Sequence, residues 1–466
     1  MLPRNRHYLR GTQMNSRSQS SRKRAIVIGG SIAGLLAARV LSDFYENVTI
    51  IERDRLPLGS EHRRGTPHGR HSHAILAGGL SVIEELFPGI SKELVESGAV
   101  SADPLNDGSW FFEGGDLSRA PAGITSLLLS RPFLEAAIRQ RIREMEQITI
   151  LDGRSVRDLI ALNGRVTGVH TDFGTLSADL VIDTSGRGSK SSQWLDSLGF
   201  ASPRQEEVEV RLAYTTRIFR RRSDHLGGDS FAVIPPTPDG KRGGVALAQE
   251  HDRWTVTLFG HFGQQAPEGL DGFREYARSL PAPHVYNVVR DAEPIGDAVF
   301  MRFPASSRRR FEELDRFPDG YLVFGDAICS FNPIYGQGMS VAALQAAELG
   351  QALENGDKDL ARRFFKQAAK VIDNPWNIAV GGDLKMPETP GPRALGVRLI
   401  NWYIGKLHKC AHRDPAAAAA FIRVAQLIDT PSALMQPRMA WRVLTNTLRN
   451  WLSLPEPAGA REVTMN

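Results

Sequence analysis

Two cysteines, Cys329 and Cys410, are all that the 466-residue chain contains. They provide no disulfide framework and no zinc-ligand spacing, so a reducing compartment, the cytoplasm, is expected. Long apolar runs are missing too. No uncharged stretch approaches the ~18 residues that a bilayer-crossing helix needs, so no transmembrane segment is expected and only peripheral membrane contact stays open. Acidic residues are absent from positions 1–24, which carry Arg4, Arg6, Arg10, Arg17, Arg22, Lys23 and Arg24. The chain's formal charge of +5 therefore leaves residues 25–466 at −2. The basic excess belongs to this first segment, and a nucleic-acid-binding face on the folded body is not expected. Residues 1–23 read as a disordered basic tail; they share the acid-free, serine-containing texture of a transit segment but lack its amphipathic period. Internal repeats and long low-complexity stretches are lacking as well. What remains is a hydrophobic content of 41% and a mean hydropathy of −0.26, in a chain long enough for two or three subdomains around a substantial core.

The stretch Arg24–Glu52 organises the rest. Ala25 to Ile28 is a short apolar run of the kind that forms a buried parallel strand. Gly29, Gly30 and Gly34 punctuate the following turn, Ile32 to Leu41 has helical apolar spacing, and Val48 to Ile51 is a second buried strand. Such a strand–turn–helix–strand unit presents free N–H groups and a positive dipole end to a pyrophosphate. Glu52, at the end of the second strand, is placed to accept bonds from a ribose diol. The pattern Gly-x-Gly-x-x-Gly is one glycine short, because Ser31 stands in the third position, where it narrows the approach to the phosphate.

Further along, Glu61 to Leu80 is a Gly/Pro loop that turns helical from Ala74 to about Leu86. It holds His62, His68, His71 and His73 within twelve residues. A metal cluster would need partners that no distant Cys or His pair supplies, so no metal is expected. The loop reads instead as one folded onto a cofactor, with Arg63, Arg64 or Arg70 near phosphate and a histidine near a redox ring; a solvated polar loop is the plainer alternative. Ser130 caps a helix beginning at Arg131. Thr149–Leu151 and Val166–Leu176 read as a small meander, and Leu180–Asp183 as another buried strand that ends in a Gly/Ser turn. From Glu207 the texture becomes alternating: Val208–Phe219, Ser230–Ile234, Gly243–Gln249 and Trp254–Phe259 predict an antiparallel sheet able to wall a pocket. Tyr321–Phe324 returns to a parallel strand. Asp326 at its end is an acceptor for sugar or ribityl hydroxyls, and a helix follows from about Gly338, whose N–H groups favour developing negative charge. Residues 357–466 are largely helical, with Leu360, Phe364, Ala368 and Val371 as one stripe, and Pro375, Pro387, Pro390, Pro392 and Pro431 separating segments. Nothing there reads as catalytic, and Trp402, Tyr403, Trp441 and Trp451 read as core, with an apolar lid as the alternative.

Three pieces in this order carry a resemblance: the Gly29–Glu52 unit, Asp183-Thr-Ser-Gly-Arg-Gly, and Gly325-Asp-Ala followed by Pro333 and Gly336-Gln-Gly. The chain resembles the single-Rossmann FAD-dependent monooxygenases related to para-hydroxybenzoate hydroxylase, over about residues 24–355. Within them it is most similar to the polyether epoxidases of monensin and lasalocid assembly. These share an Arg-x-Gly-x-Pro-x-x-x-His-x-His segment, matching Arg63 to His73, and a Phe-Asn-Pro-x-Tyr-Gly-x-Gly-Met segment, matching Phe331 to Met339. The resemblance implies an α/β fold, α+β overall: a Rossmann-type FAD-binding domain at 24–100, 127–206 and 291–356, a substrate domain at 101–126 and 207–290, and a helical region at 357–466. It implies cofactor contacts from Gly29, Gly30, Ser31, Ala33, Gly34, Glu52, Arg53, Arg64, His73, Arg131, Asp183, Gly325, Asp326, Pro333, Gly336, Gly338 and Met339. Pro333 and His71 would lie near the ring, and Tyr214, Phe231, Val233, Trp254 and Phe259 would wall a pocket for a small apolar substrate, an alkene, polyketide or isoprenoid.

The implied activity is insertion of one oxygen atom from O2, through a flavin C4a-hydroperoxide, by epoxidation or hydroxylation in secondary metabolism. No protein base is evident, which leans toward an alkene. Two departures bear on the electron donor. The family's Asp-Gly-x-x-Ser segment, tied to NAD(P)H use, is Asp183-Thr-Ser-Gly-Arg-Gly-Ser189 here, and Cys329 stands where histidine is common. NAD(P)H is therefore expected to act directly or through a partner flavin reductase. Rival readings are a geranylgeranyl-reductase-like enzyme that saturates isoprenoid double bonds, and a flavin-binding redox protein without turnover. A halogenase would carry Trp-x-Trp-x-Ile-Pro, and no Trp-x-Trp pair exists.

Overall fold

A computed structural model describes residues 22–452, with side chains through Leu448; most of the basic tail and the Trp451 side chain lie outside the described residues. Five strands pair in parallel in the order β18 (Tyr321–Val323), β12 (Leu180–Asp183), β1 (Arg24–Ile28), β2 (Asn47–Glu52) and β8 (Ile148–Asp152). Ala25–Ile28, Leu180–Asp183 and Tyr321–Val323 are all buried, because helices pack on the sheet and a small antiparallel meander packs on it through Val166 and Val169. Helix α1 (Ile32–Leu41) packs against β1 and β2. It also packs on two later helices, α4 (Arg131–Arg143) and α8 (Gly338–Glu354). α2 (Ala77–Leu86) adds to the α8 side, and α3 (Ile90–Glu96) bridges α2 and α4.

Two local expectations are corrected here. Ile148–Asp152 is the edge of the parallel sheet rather than part of the meander, in register with β2 through Val48 and Ile148. The chain reaches it from β2 through α4, the crossover that parallel strands require. The meander is β9 (Val156–Leu162), β10 (Arg165–Thr171) and β11 (Gly174–Ser177). Ala74 and Ile75 are not helical: they form β3 (Ala74–Ile75), which pairs with β7 (Ser126–Leu128) beside β4 (Val100–Ala102), and the helix begins at Ala77.

The second large sheet has eight strands: β19 (Cys329–Ser330), β17 (Pro294–Arg309), β13 (Gln205–Arg220), β16 (Arg253–His261), β15 (Arg242–Gln249), β14 (Phe231–Ile234), β5 (Gly108–Phe112) and β6 (Gly115–Asp116). All neighbours are antiparallel except β14 and β5. β17 carries this sheet past residue 290, and β5 brings in the 101–126 segment. Helices α6 (Leu270–Arg278) and α7 (His284–Asp291) pack on one face through Phe273, Tyr276, Val285 and Val288, which leaves the other face free to wall a cavity. A short helix, α5 (Ser191–Ser197), comes after β12.

The C-terminal region is α9 (Leu360–Asp383), α10 (Leu395–Ala411), α11 (Pro415–Ala425) and α12 (Pro437–Leu452). Pro375 does not end a segment. It sits buried inside α9, where the apolar stripe outweighs one lost backbone bond. Asp414 caps α11 by accepting from the Ala416 and Ala417 N–H groups, with Pro415 in the first turn. The aromatic residues expected in the core are not all there: Trp402 is 61% exposed and Trp441 66% exposed, while Tyr403 is half-buried and donates its hydroxyl to the Leu434 carbonyl at 2.7 Å. Among the described residues no helix is long and apolar enough to cross a membrane.

Candidate functional site

One cavity of about 1150 Å3 runs from the turn after β1, along the inner face of the eight-stranded sheet, to the C-terminal helices. A single small-molecule site takes ~300–1000 Å3, so there is room for a cofactor and a second molecule. Its first end is the glycine turn. Gly29 has φ +107°, open to glycine, and its N–H donates to the Ile51 carbonyl at 2.8 Å. A Cβ on Gly34 would lie 1.9 Å from the Gly29 carbonyl oxygen, so only hydrogen fits where α1 meets the strand. Ser31, the missing glycine, has a use: its hydroxyl donates to Glu135 at 2.9 Å and accepts from Arg131 at 2.7 Å. Arg63 joins this cluster, donating to Glu135 at 2.9 Å and to Asp54 at 3.0 Å. Glu52 accepts from the Gly30 N–H at 2.7 Å and the Asp54 N–H at 2.9 Å while lining the cavity.

Hydrogen-bonding capacity is left over at this end, although Glu52, Asp54 and Glu135 pair with the arginines. Arg131 Nε and one terminal nitrogen of Arg63 are buried without a partner. Burial lowers the Arg131 pKa from its usual value, opposed by Glu135 and Asp326. A guanidinium cannot shed its proton in practice, so a buried anion is the fitting partner. Asp326 lines the same space, its pKa raised by burial and held back by Arg131 and Arg187. Beside it, Gly338 and Met339 open α8 onto the cavity, and the Gln337 side-chain oxygen is buried and unpartnered. Two helix N-termini, α1 and α8, therefore face one space, together with guanidinium groups, an arrangement able to cradle a pyrophosphate at one and to favour negative charge at the other.

The histidine loop lies between the cradle and the sheet. His71 Nδ1 is 2.7 Å from the Thr216 hydroxyl, which continues through Thr257 to Ser72, each step 2.7 Å. Its ring meets Tyr214 edge-on at 4.4 Å. Burial pushes the His71 imidazole down to about 3, helped by His73 and Arg70. Burial likewise holds His73, which donates to the His71 carbonyl at 2.9 Å, at about 4. Both rings are neutral at physiological pH, so they order the wall rather than carry charge.

The far end holds groups that the sequence pattern did not single out. Asp383, the last residue of α9, is 2% exposed and lines the cavity. One carboxylate oxygen accepts from Asn332 Nδ2 at 2.8 Å and from the Tyr335 hydroxyl at 3.1 Å; the other is buried without a partner. Gly382 permits the Tyr335 approach, since a Cβ there would meet that hydroxyl at 2.2 Å. Burial raises the Asp383 pKa to about 7, against the two hydrogen bonds. Lys385 and His408 line the same end, and both His408 ring nitrogens are unpartnered. Burial pushes His408 down to about 3 and lowers Lys385.

The cavity gathers Gly29, Ser31, Ala33, Glu52, Arg53, His71, His73, Arg131, Asp326, Pro333, Gly336, Gly338 and Met339, together with Tyr214, Phe231, Val233 and Phe259. Other expected residues do not reach it. Arg64 is exposed and points away, and its neighbour Arg63 takes the inward place. Gly30 and Gly34 are buried beneath the turn, and Gly325 packs under Ala33. Asp183 is fully buried and closes on its own turn, accepting from the Ser185 N–H at 2.8 Å and Ser189 at 2.6 Å. Trp254 is wrong by one face. Thr257 and Phe259 turn inward on β16, so Trp254, an odd number of positions away, points outward with Val256 and Leu258. It packs beneath α6 and α7 and donates to His225 at 3.0 Å. Trp254→Ala is expected to lower the unfolding free energy by about 3–5 kcal/mol in urea titration, with ligand content unchanged. Among the described residues no group of three or more His, Cys, Asp or Glu is placed to hold a metal ion.

The cradle fits FAD: buried guanidinium nitrogens of Arg63 and Arg131 without a hydrogen-bond partner sit beside a glycine turn, with Glu52 and Asp326 available as hydroxyl acceptors. Comparison with known proteins now adds to this geometry. No family model matches the chain. Protein Rv3254 of Mycobacterium tuberculosis is 32% identical over 468 residues, covering 94% of this chain and 97% of that protein. The 6-methylpretetramide 4-monooxygenase of Streptomyces rimosus is 26% identical over 74% of this chain and 78% of its own length. Among solved structures, the flavin-dependent brominase Bmp2 superposes with a TM-score of 0.65 at 13% identity, over 92% of this chain and 98% of that one. This chain belongs to one family with protein Rv3254, and its fold is that of the FAD-dependent monooxygenases and halogenases.

Proposed function

We propose that the protein is a FAD-dependent monooxygenase that inserts one atom of O2 into a largely apolar organic substrate. The observation that carries this reading is the single continuous cavity, with a pyrophosphate cradle at one end and an aromatic wall with a buried carboxyl at the other. Reduced flavin, when bound, supplies the reaction with O2 that yields a transferable oxygen atom. Arg131 and Arg63 bind the pyrophosphate, Glu52 the ribose and Asp326 the ribityl or pyrophosphate oxygens. Gly338 and Met339 present the α8 dipole to the electron-rich end of the ring. Tyr214, Phe231, Val233 and Phe259 exclude water and orient the substrate.

Asp383 alters the balance between epoxidation and hydroxylation. With its pKa raised to about 7 and one carboxylate oxygen left without a hydrogen-bond partner at a position that lines the cavity, it can take the proton of an aromatic or enolic hydroxyl. That favours hydroxylation of a hydroxylated aromatic substrate over epoxidation of an isolated alkene, the polyether-epoxidase-like reading. Reducing equivalents come from NAD(P)H, directly or through a partner flavin reductase. The test is turnover of FAD-loaded protein with NADPH, a flavin reductase and isotope-labelled O2, using a panel of polycyclic phenols and alkenes followed by mass spectrometry. A phenol product heavier by one labelled oxygen is expected. A product heavier by two hydrogens would make the protein a double-bond reductase, and no product from either class would leave a non-catalytic flavoprotein.

A further inference from the structure

The outer surface of the C-terminal helices has a pattern that the cavity does not use. On α10, Leu395, Leu399 and Trp402 are 75%, 65% and 61% exposed and recur at helical spacing, with Lys406 Nζ 5.9 Å from the Trp402 ring. On α12, Trp441, Leu444 and Leu448 are 66%, 51% and 50% exposed at the same kind of spacing. The two helices pack together where Cys410 Sγ meets the Arg442 carbonyl at 3.7 Å. Scattered exposed leucines need no explanation, but two stripes with a tryptophan on each, on neighbouring helices, do.

Charge says what covers them. Neither α10 nor α12 contains an Asp or Glu, while they carry Arg398, Lys406, Lys409, Arg438 and Arg442. Residues 393–452 hold nine basic residues against two acidic ones, a sum of +7, whereas residues 25–392 sum to −8. Both acids are already engaged: Asp414 with Arg442 and Asp429 with Arg423, each at 2.7 Å. Apolar stripes flanked by tryptophan and unneutralised Lys and Arg are the pattern of a helix lying in an anionic lipid interface. A second copy of the same face would bring +7 against +7.

We propose that α10 and α12 form a membrane-docking face that seats the protein on an anionic bilayer surface. The face borders the cavity. Ile400 is 54% exposed and also lines it, as do Asn401, Ile404 and His408 further along the same helix. α10 thus separates the lipid-facing stripe from the substrate end by one helix thickness, and a lipophilic substrate can pass from bilayer to cavity beside Ile400. This delivery route rests on the oxygenase reading; docking does not.

The test is co-sedimentation of the full-length, FAD-loaded protein with vesicles of phosphatidylcholine alone, or of phosphatidylcholine with phosphatidylglycerol, with sedimentation equilibrium in parallel. Binding to the anionic vesicles is expected, weakening with salt and at least tenfold weaker for Leu399→Glu combined with Trp441→Glu. Lys406→Glu and Lys409→Glu should each cost roughly fivefold or more. Flavin content and thermal midpoint should stay unchanged, because Leu399, Trp441 and Lys409 are exposed and the half-buried Lys406 sets its ammonium over the exposed Trp402 ring. Binding that survives all these substitutions would overturn the proposal and move the contact elsewhere, for instance to the basic residues 1–24. A protein that ignores vesicles but forms a dimer broken by the same substitutions would assign the face to a second copy. A monomer that ignores vesicles would leave the face to the chain's own terminal segments; either result overturns docking.

Discussion

Asp383→Asn should lower turnover of a hydroxylated aromatic substrate by about 100- to 10,000-fold, the usual contribution of a positioned base. The substitution is close to isosteric, and an amide oxygen can keep the bonds from Asn332 and Tyr335, so the loop through Pro333 should stay in place. Uptake of FAD and oxidation of any substrate without an acidic hydroxyl should be unaffected. The pH profile separates a base from a structural prop. The carboxyl is raised from its ordinary value to about 7, so wild-type kcat/KM should climb as pH rises toward 7 and flatten above it, and the Asn variant should lose that limb. Stability moves the other way. Because the folded-state pKa lies above the unfolded one, the native state holds more protons between roughly pH 4 and 7, and stability falls as pH rises through that window, by up to roughly 4 kcal/mol. The variant should lack this slope in urea titrations at several pH values.

Gly34→Ala is the second large effect. The added methyl would overlap the Gly29 carbonyl oxygen and crowd Thr184 Oγ1 at 2.8 Å, both fixed between α1 and the strand ends. Nothing flexible can yield, so the turn must open. The cost should reach or pass the ~3 kcal/mol top of the usual overpacking range, and the rearranged α1 N-terminus should no longer hold a pyrophosphate. The expected result is a protein purified without flavin. Gly336→Ala is a useful contrast: Gly336 has a positive φ, +65°, unlike the helical Gly34, but an added Cβ there would meet nothing within 4 Å, so only a modest loss is expected.

The difference between what could be read in the chain and what could not follows from the range of the interactions. The unit from Arg24 to Glu52, the buried strand at Leu180 and the helix opening at Gly338 each carry their pattern in a short local run of residues, and each lies within a residue of its expected place. Strand pairing is non-local. Nothing in Thr149–Leu151 reveals that its partner is β2, and nothing in Pro294–Arg309 reveals β13. Two misplaced residues were within reach of simple periodicity. Trp254 and Phe259 are five positions apart on one strand and cannot share a face. Asp383 continues the apolar series Leu360, Phe364, Ala368, Ile372, Trp376 and Ala379, which makes it a buried acid; taking Pro375 as a stop hides the last turns of that series. Ser31 was readable as a lost glycine but not as a bridge, because its partners Arg131 and Glu135 come from a helix a hundred residues away. The exposure of Trp402 and Trp441 also escaped, since stripe spacing alone does not say whether a partner helix or a bilayer covers it.

Oxygen transfer as proposed requires that the cradle around Gly29, Arg63 and Arg131 hold FAD. Calorimetric titration of flavin-stripped protein with FAD, beside Arg131→Met and FMN as controls, tests it directly. The account predicts one FAD per chain, clearly weaker uptake by the Arg131 variant, and poor binding of FMN, which lacks the pyrophosphate and adenosine. A correctly folded protein that takes up no FAD, or binds FMN equally well, would contradict it.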